Sequence, residues 1–179
     1  MPRSEDRLVK TVLLLRHAKS SWDQPHLDDF SRPLAPRGRK AAPRIGRYLA
    51  EEALIPDRVL CSAARRAVET WELVADSLGG KPLVEILREI YHASLHDLLD
   101  LIHHLPDNEA TVLLVGHNPT FESLALDLTG SGNEEAFRTM EIKYPTAGLA
   151  ILEFPAGKWE EVGRARGVLR DFIRPKDLK

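Results

Sequence analysis

A single cysteine, Cys61, is all that the 179-residue chain contains, so no intramolecular disulfide can form. That usage fits a reducing cytoplasm. No apolar run approaches the ~18 residues that a membrane-crossing helix needs. No HExxH, CxxC or clustered-carboxylate pattern offers a metal seat, and no glycine-rich P-loop offers a nucleotide cradle. Neither a metal nor a cofactor is expected. The formal net charge of −2 gives no global attraction for nucleic acid, so an anion site has to be local. The polar start lacks the apolar segment of a signal peptide. It is read as a flexible leader over 1–8, ahead of one domain over 9–179 in a cytoplasmic chain.

What the chain does have is a pair of apolar runs that each stop on a histidine. Residues 9–16 end on Arg16 and are followed by His17; residues 111–116 end on Gly116 and are followed by His117. Both have the length and composition of central strands covered on two faces. Further strand patterns at 58–62, 82–87 and 148–154 alternate with helical patterns at 37–52, 64–78, 94–105 and 120–128. Pro43 falls early in the first of these helices. The alternation predicts an α/β fold, a three-layer α/β/α sandwich around a mostly parallel sheet. The strand at 82–87 is placed at an edge, and the tail carrying Trp159 and Val162 is expected to add another edge strand. Residues 18–36, with Trp22 and Phe30, form a loop of a length that usually serves a site.

In open α/β sheets, ligands collect at the carboxyl ends of the strands. Three segments fall there. Arg16-His17 sets a fixed guanidinium beside an imidazole, which favours the neutral, nucleophilic ring and offers a bidentate fork for phosphate. Ser62-Ala-Ala-Arg65-Arg66 leads into a helix, with Ser62 as its expected N-cap. Cations in a first turn oppose the helix dipole unless an anion compensates them. Gly116-His117-Asn118-Pro119 combines close backbone approach at Gly116 with a proline able to open the next helix. Taken singly, each segment also fits a packed strand-end histidine or a solvated basic pair. Here Arg65 is assigned to the solvated role and Arg66 to the site.

Taken together, Leu15-Arg16-His17-Ala18, then Ser62 through Arg66-Ala67 to Thr70, then Gly116-His117, resemble the histidine phosphatase superfamily, which includes the phosphoglycerate mutases. Residues 16–22, Arg32-Pro33-Leu34 with Arg37-Gly38, and the short chain are most similar to the SixA type of bacterial phosphohistidine phosphatase. The resemblance runs from about residue 10 to residue 155. It implies a phosphoglycerate mutase-like fold and a phosphatase without a metal. His17 would be the phosphorylated nucleophile. Arg16, Arg66 and His117 would hold the phosphoryl oxygens, and Ser62 and Thr70 would support them. Trp22 is a candidate substrate contact in the loop. Glu89 is the positional candidate for the general acid and His92 the second; with a phosphohistidine substrate a compact member needs no strong acid, because imidazole leaves phosphorus more readily than an alkoxide does. Two departures stand out: Ala18 replaces the usual glycine after the histidine, and Ala63 the usual proline after the serine. The implied partner is a protein phosphohistidine, as on a phosphotransfer domain, or a small phosphorylated metabolite, with non-catalytic binding of phosphorylated ligands as a third reading. No nucleic-acid or membrane partner is expected. His26, His96, His103, His104 and Cys61 are given ordinary structural roles.

Overall fold

A computed structural model describes residues 8–179, so positions 1–7 of the expected leader lie outside the described residues. Seven strands, β1 (Lys10–Arg16), β2 (Arg58–Ser62), β3 (Leu83–Leu87), β4 (Thr111–Gly116), β5 (Thr129–Gly132), β6 (Leu149–Phe154) and β7 (Gly167–Ile173), form one sheet in the order β3-β2-β4-β1-β6-β7-β5. Helices α1 (Pro36–Glu51), α2 (Arg65–Leu78), α3 (Leu95–His103), α4 (Thr120–Leu128) and α5 (Glu134–Ile142) pack on its two faces. The β3-β2-β4-β1 half is parallel, whereas β6 runs antiparallel to both β1 and β7.

The period-two geometry of a strand builds both cores at once. In β1, Val12 and Leu14 face the cluster that holds Phe121 and Leu124 of α4 and Met140 of α5. Leu13 and Leu15 face Ile45 and Leu49 of α1 and Val74 of α2. All four strand residues are fully buried, and each such side chain contributes about 1.5–3 kcal/mol of burial. This explains why β1 reads as a continuous apolar run with no alternation.

The helix ends follow local chemistry. Pro36 opens α1, the left-handed Gly79 (φ 78°) ends α2, and Ser94 with Asp97 forms a capping box on α3. Pro43 lies two turns inside α1, beyond the turn where a missing N–H costs nothing. The sequence reading missed β5 and α5. The Thr-Gly-Ser-Gly of β5 looks like a turn, and its edge position asks for little apolar surface. The tail differs as well: Trp159 and Val162 are buried around a short 3-10 turn, and the following strand β7 lies inside the sheet, with β5 at the edge.

Candidate active site

Sheet register assembles the site. Strands β2, β4 and β1 are adjacent and parallel, with Arg16 opposite Gly116 and Cys61 opposite Val115. The residues that follow, His17, His117 and Ser62, therefore emerge side by side at one edge. The His17 N–H donates to the Gly116 carbonyl at 2.9 Å. The two imidazole rings lie 5.2 Å apart, centroid to centroid. Ser62 Oγ sits 2.7 Å from His117 Nε2 and accepts from the Ala64 N–H at 3.2 Å. This corrects the expected N-cap: Ala64 occupies that position, and the Ser62 side chain is turned toward His117.

His17 is buried and held in one orientation. Its Nδ1 lies 2.7 Å from the Ala18 carbonyl, an acceptor only, so Nδ1 carries the proton and donates. Nε2 is left with its lone pair and accepts from Arg66 Nε at 3.3 Å. Burial pushes the His17 pKa down to about 3. The bond to Ala18 opposes that shift, and the charges of His117, Arg66 and Arg16 reinforce it. His117 is lowered to about 4, first by burial and then by Arg66, with Asp29 acting in the opposite sense. Both rings are neutral at physiological pH. The segment after His17 is fixed by Thr70, whose Oγ1 accepts from the Ala18 N–H at 3.0 Å and donates to the Arg66 carbonyl at 2.6 Å. Ala18 is not among the residues with positive φ, so its Cβ is accommodated without the strain a glycine would avoid.

The two arginines enter from opposite sides. Arg16 donates through Nη1 to the Tyr144 carbonyl at 2.9 Å. Its Nε, like His117 Nδ1, is buried without a hydrogen-bond partner among the described residues. Arg66, second residue of α2, is buried and gripped from outside by Asp29: Nη1 donates to the Asp29 carbonyl at 2.6 Å and Nη2 to its carboxylate at 3.0 Å. The same carboxyl group accepts from Tyr91 Oη at 2.5 Å and from Arg32 at 3.0 Å. Burial works against its ionisation, but the bonds from Tyr91 and Arg32 and the nearby Arg66 outweigh it and hold the group well below the usual carboxylate range. Arg65 points away into a pair with Glu69 at 3.0 Å.

A pair of neutral histidines, His17 buried and His117 half-buried, flanked by two arginines at the carboxyl edge of a parallel sheet is the setting in which relatives become informative. The model of the histidine phosphatase superfamily (branch 1) matches residues 12–99. An uncharacterised protein of Mycobacterium leprae is 37% identical over 90% of this chain and 100% of its own length. The chain belongs to the histidine phosphatase superfamily. A candidate phosphohistidine phosphatase SixA from Agrobacterium tumefaciens has 31% identity and a TM-score of 0.79, over 93% of this chain and 98% of its own. A protein histidine phosphatase SixA complexed with tungstate shares the fold at a TM-score of 0.76 and 23% identity, over 94% of this chain and 99% of its own. This member of the superfamily is SixA-like, and its kinship supports phosphatase activity.

Arg16, His17, Ser62, Arg66 and His117 stand together in this member of the superfamily, with Thr70 behind them. Glu89 does not join them. It is exposed and borders a different cleft with Asp97, Asp100 and His104. His92 does approach: its ring lies 4.1 Å from that of Tyr91, and both line a cleft of about 240 Å3 with His117 and Asn118. Trp22 is 69% exposed, with its ring against the Arg32 guanidinium at 3.6 Å. Sequence reasoning missed Asp29. The available signal was an acidic pair, Asp28-Asp29, placed shortly before Arg32 in a loop already expected to serve a site. Gly116 serves packing: a Cβ there would meet the Phe121 ring at 2.4 Å. Cys61 is buried, which raises its pKa, as suits a strand residue. No helix of the described residues is long and apolar enough to cross a membrane.

Proposed function

We propose that the protein removes phosphoryl groups through a covalent phosphohistidine at His17, and that its substrate is a phosphohistidine carried by another protein. His17 Nε2 attacks phosphorus while the bond from phosphorus to the substrate's imidazole nitrogen breaks. That imidazole departs and takes its proton from solvent. Water then attacks the same phosphorus, the bond to His17 breaks, and inorganic phosphate leaves. Arg16 Nε and His117 Nδ1 have hydrogen-bonding capacity for equatorial oxygens, as does the inner edge of Arg66.

The observation that carries this reading is the state of His17: Nδ1 donating to Ala18, Nε2 unprotonated and accepting only the 3.3 Å bond from Arg66, and the ring neutral. Two features favour a phosphoramidate on a protein over a phosphoester metabolite. The acidic side chain built into the cluster is Asp29, which is held ionised and has no proton to give an alkoxide. The cleft of about 240 Å3 beside His117, lined also by Tyr91 and His92, is large enough to take one side chain of a protein substrate.

The test is a comparison of kcat/KM for a phosphorylated phosphotransfer domain, a sugar phosphate and a nucleoside monophosphate. The reading expects the phosphoprotein to be preferred by about 100-fold or more, equivalent to about 3 kcal/mol. Equal or better turnover of either ester would replace it with the small-molecule alternative.

A further inference from the structure

A second cavity, of about 300 Å3, opens between α1, the end of α5 and the chain following β7. None of Arg16, His17, Arg66 or His117 lines it. Five cations do: Lys19, Arg37, Lys143, Arg174 and Lys176, with no acidic side chain among the lining residues. Arg174 is spoken for, held at both ends of its fork by Asp177 at 2.7 and 2.9 Å. The other four have neither an ion pair nor a side-chain hydrogen bond among the described residues.

All four are exposed at the rim, and together they concentrate positive charge on one concavity of a chain whose net charge is −2. Helix geometry accounts for one of them: Lys143 follows the last residue of α5, where a cation meets the carbonyl dipole. It makes another worse. Arg37 lies in the first turn of α1, which has no side-chain N-cap and no acidic residue, so its charge adds to the positive end of the helix. The cavity also has an apolar side, supplied by Ala41, Pro175 and the 85% exposed Ile142. Concavity of this size, a largely apolar wall and a few convergent charges are the properties of a small-molecule site. The charge calls for a ligand with several negative groups, and the wall for a flat or aliphatic body attached to them.

We propose that this cavity binds a nucleoside di- or triphosphate, with the phosphates on Lys19, Arg37, Lys143 and Lys176 and the nucleoside against Ile142 and Pro175. Recognition here uses side-chain ammonium and guanidinium groups in place of a glycine-rich loop. The cavity also abuts the catalytic cluster: Lys19 is two residues beyond His17, and Pro145 and Thr146 precede Ala147, whose N–H reaches the carbonyls of Arg16 and His17 at 3.0 Å.

Calorimetric titration of the whole protein with ATP, inorganic triphosphate and adenosine tests the proposal. ATP is expected to bind more tightly than triphosphate, and adenosine not measurably. The double variant Lys143→Glu/Lys176→Glu should weaken ATP by about tenfold or more. Both residues are exposed, so its melting temperature should match wild type. Arg66→Gln, which alters the catalytic cluster, should leave ATP affinity unchanged. Three results would each overturn the proposal: no ATP binding at millimolar concentration, unchanged ATP affinity in the double variant, or affinity lost in Arg66→Gln. Equal affinity for adenosine and ATP would show an apolar cleft without anion recognition and would overturn it as well.

Discussion

Asp29 grips Arg66 by two different groups, its main-chain carbonyl at Nη1 and its carboxylate at Nη2, while Arg66 Nε points inward to His17. The long loop after β1 is thereby tied to the first turn of α2, and the guanidinium is aimed from behind. Replacing Asp29 with Ala keeps the carbonyl contact and removes the charged one. Hydrogen bonds to charged groups contribute about 1.5–3 kcal/mol, so kcat/KM on an aryl phosphate should fall by about tenfold or more. Asp29→Asn, which can still accept from Nη2, should fall less. Wild-type kinetics in Asp29→Ala would mean that Arg66 needs no external support.

A neutral, buried histidine makes stability depend on pH. In the unfolded chain, His17 takes up its proton near pH 6.5, whereas in the folded chain it does so near 3. Between those values the unfolded state binds more protons, so stability is lost as pH falls through that window. At pH 5, His17 alone should cost on the order of 2 kcal/mol. Thermal melts at pH 7 and pH 5 should therefore differ by several degrees in wild type and by less in His17→Asn. Equal differences in the two proteins would show that His17 is not held neutral.

Thr70 bridges the Ala18 N–H and the Arg66 carbonyl from a fully buried position. The near-isosteric Thr70→Val leaves the buried N–H unpaired, a loss of about 1–3 kcal/mol, readable in urea unfolding. Activity should fall with it, since the unpaired segment carries His17. An unchanged unfolding midpoint would show that Ala18 finds another acceptor.

Glu89→Gln should leave turnover within about twofold, because the side chain is exposed and borders a cleft apart from the two histidines. A drop of more than about tenfold, with a lost acidic limb in the pH–rate profile, would restore Glu89 as a proton donor.

The legible part of this protein was the part written in apolar runs. Strands β1, β2 and β4 stand out because both their faces are buried, and the chemistry lies immediately after them, so strand ends and site residues could be read in one step. The sheet's far side was harder. Edge strand β5 is four residues with two glycines, and α5 has only Ala136 and Met140 buried. Residues that act across the fold were also hidden. Asp29 is 37 positions from Arg66, and a loop carboxylate carries no periodicity to mark it. Ser62 was placed near a helix start for the right local reason, yet its side chain turns to His117, 55 positions away. Gly116 illustrates the same limit: the glycine suggested a close backbone approach, and the neighbour that needs the room is the Phe121 ring.

The central claim is that His17 carries the phosphoryl group. The most direct measurement is to mix enzyme with a labelled phosphodonor, quench rapidly in acid and in alkali, and compare wild type with His17→Ala. The account predicts label on wild type alone, lost in acid and retained in alkali, as a phosphohistidine requires. Label of the same stability on His17→Ala, or turnover that survives that substitution, would contradict it.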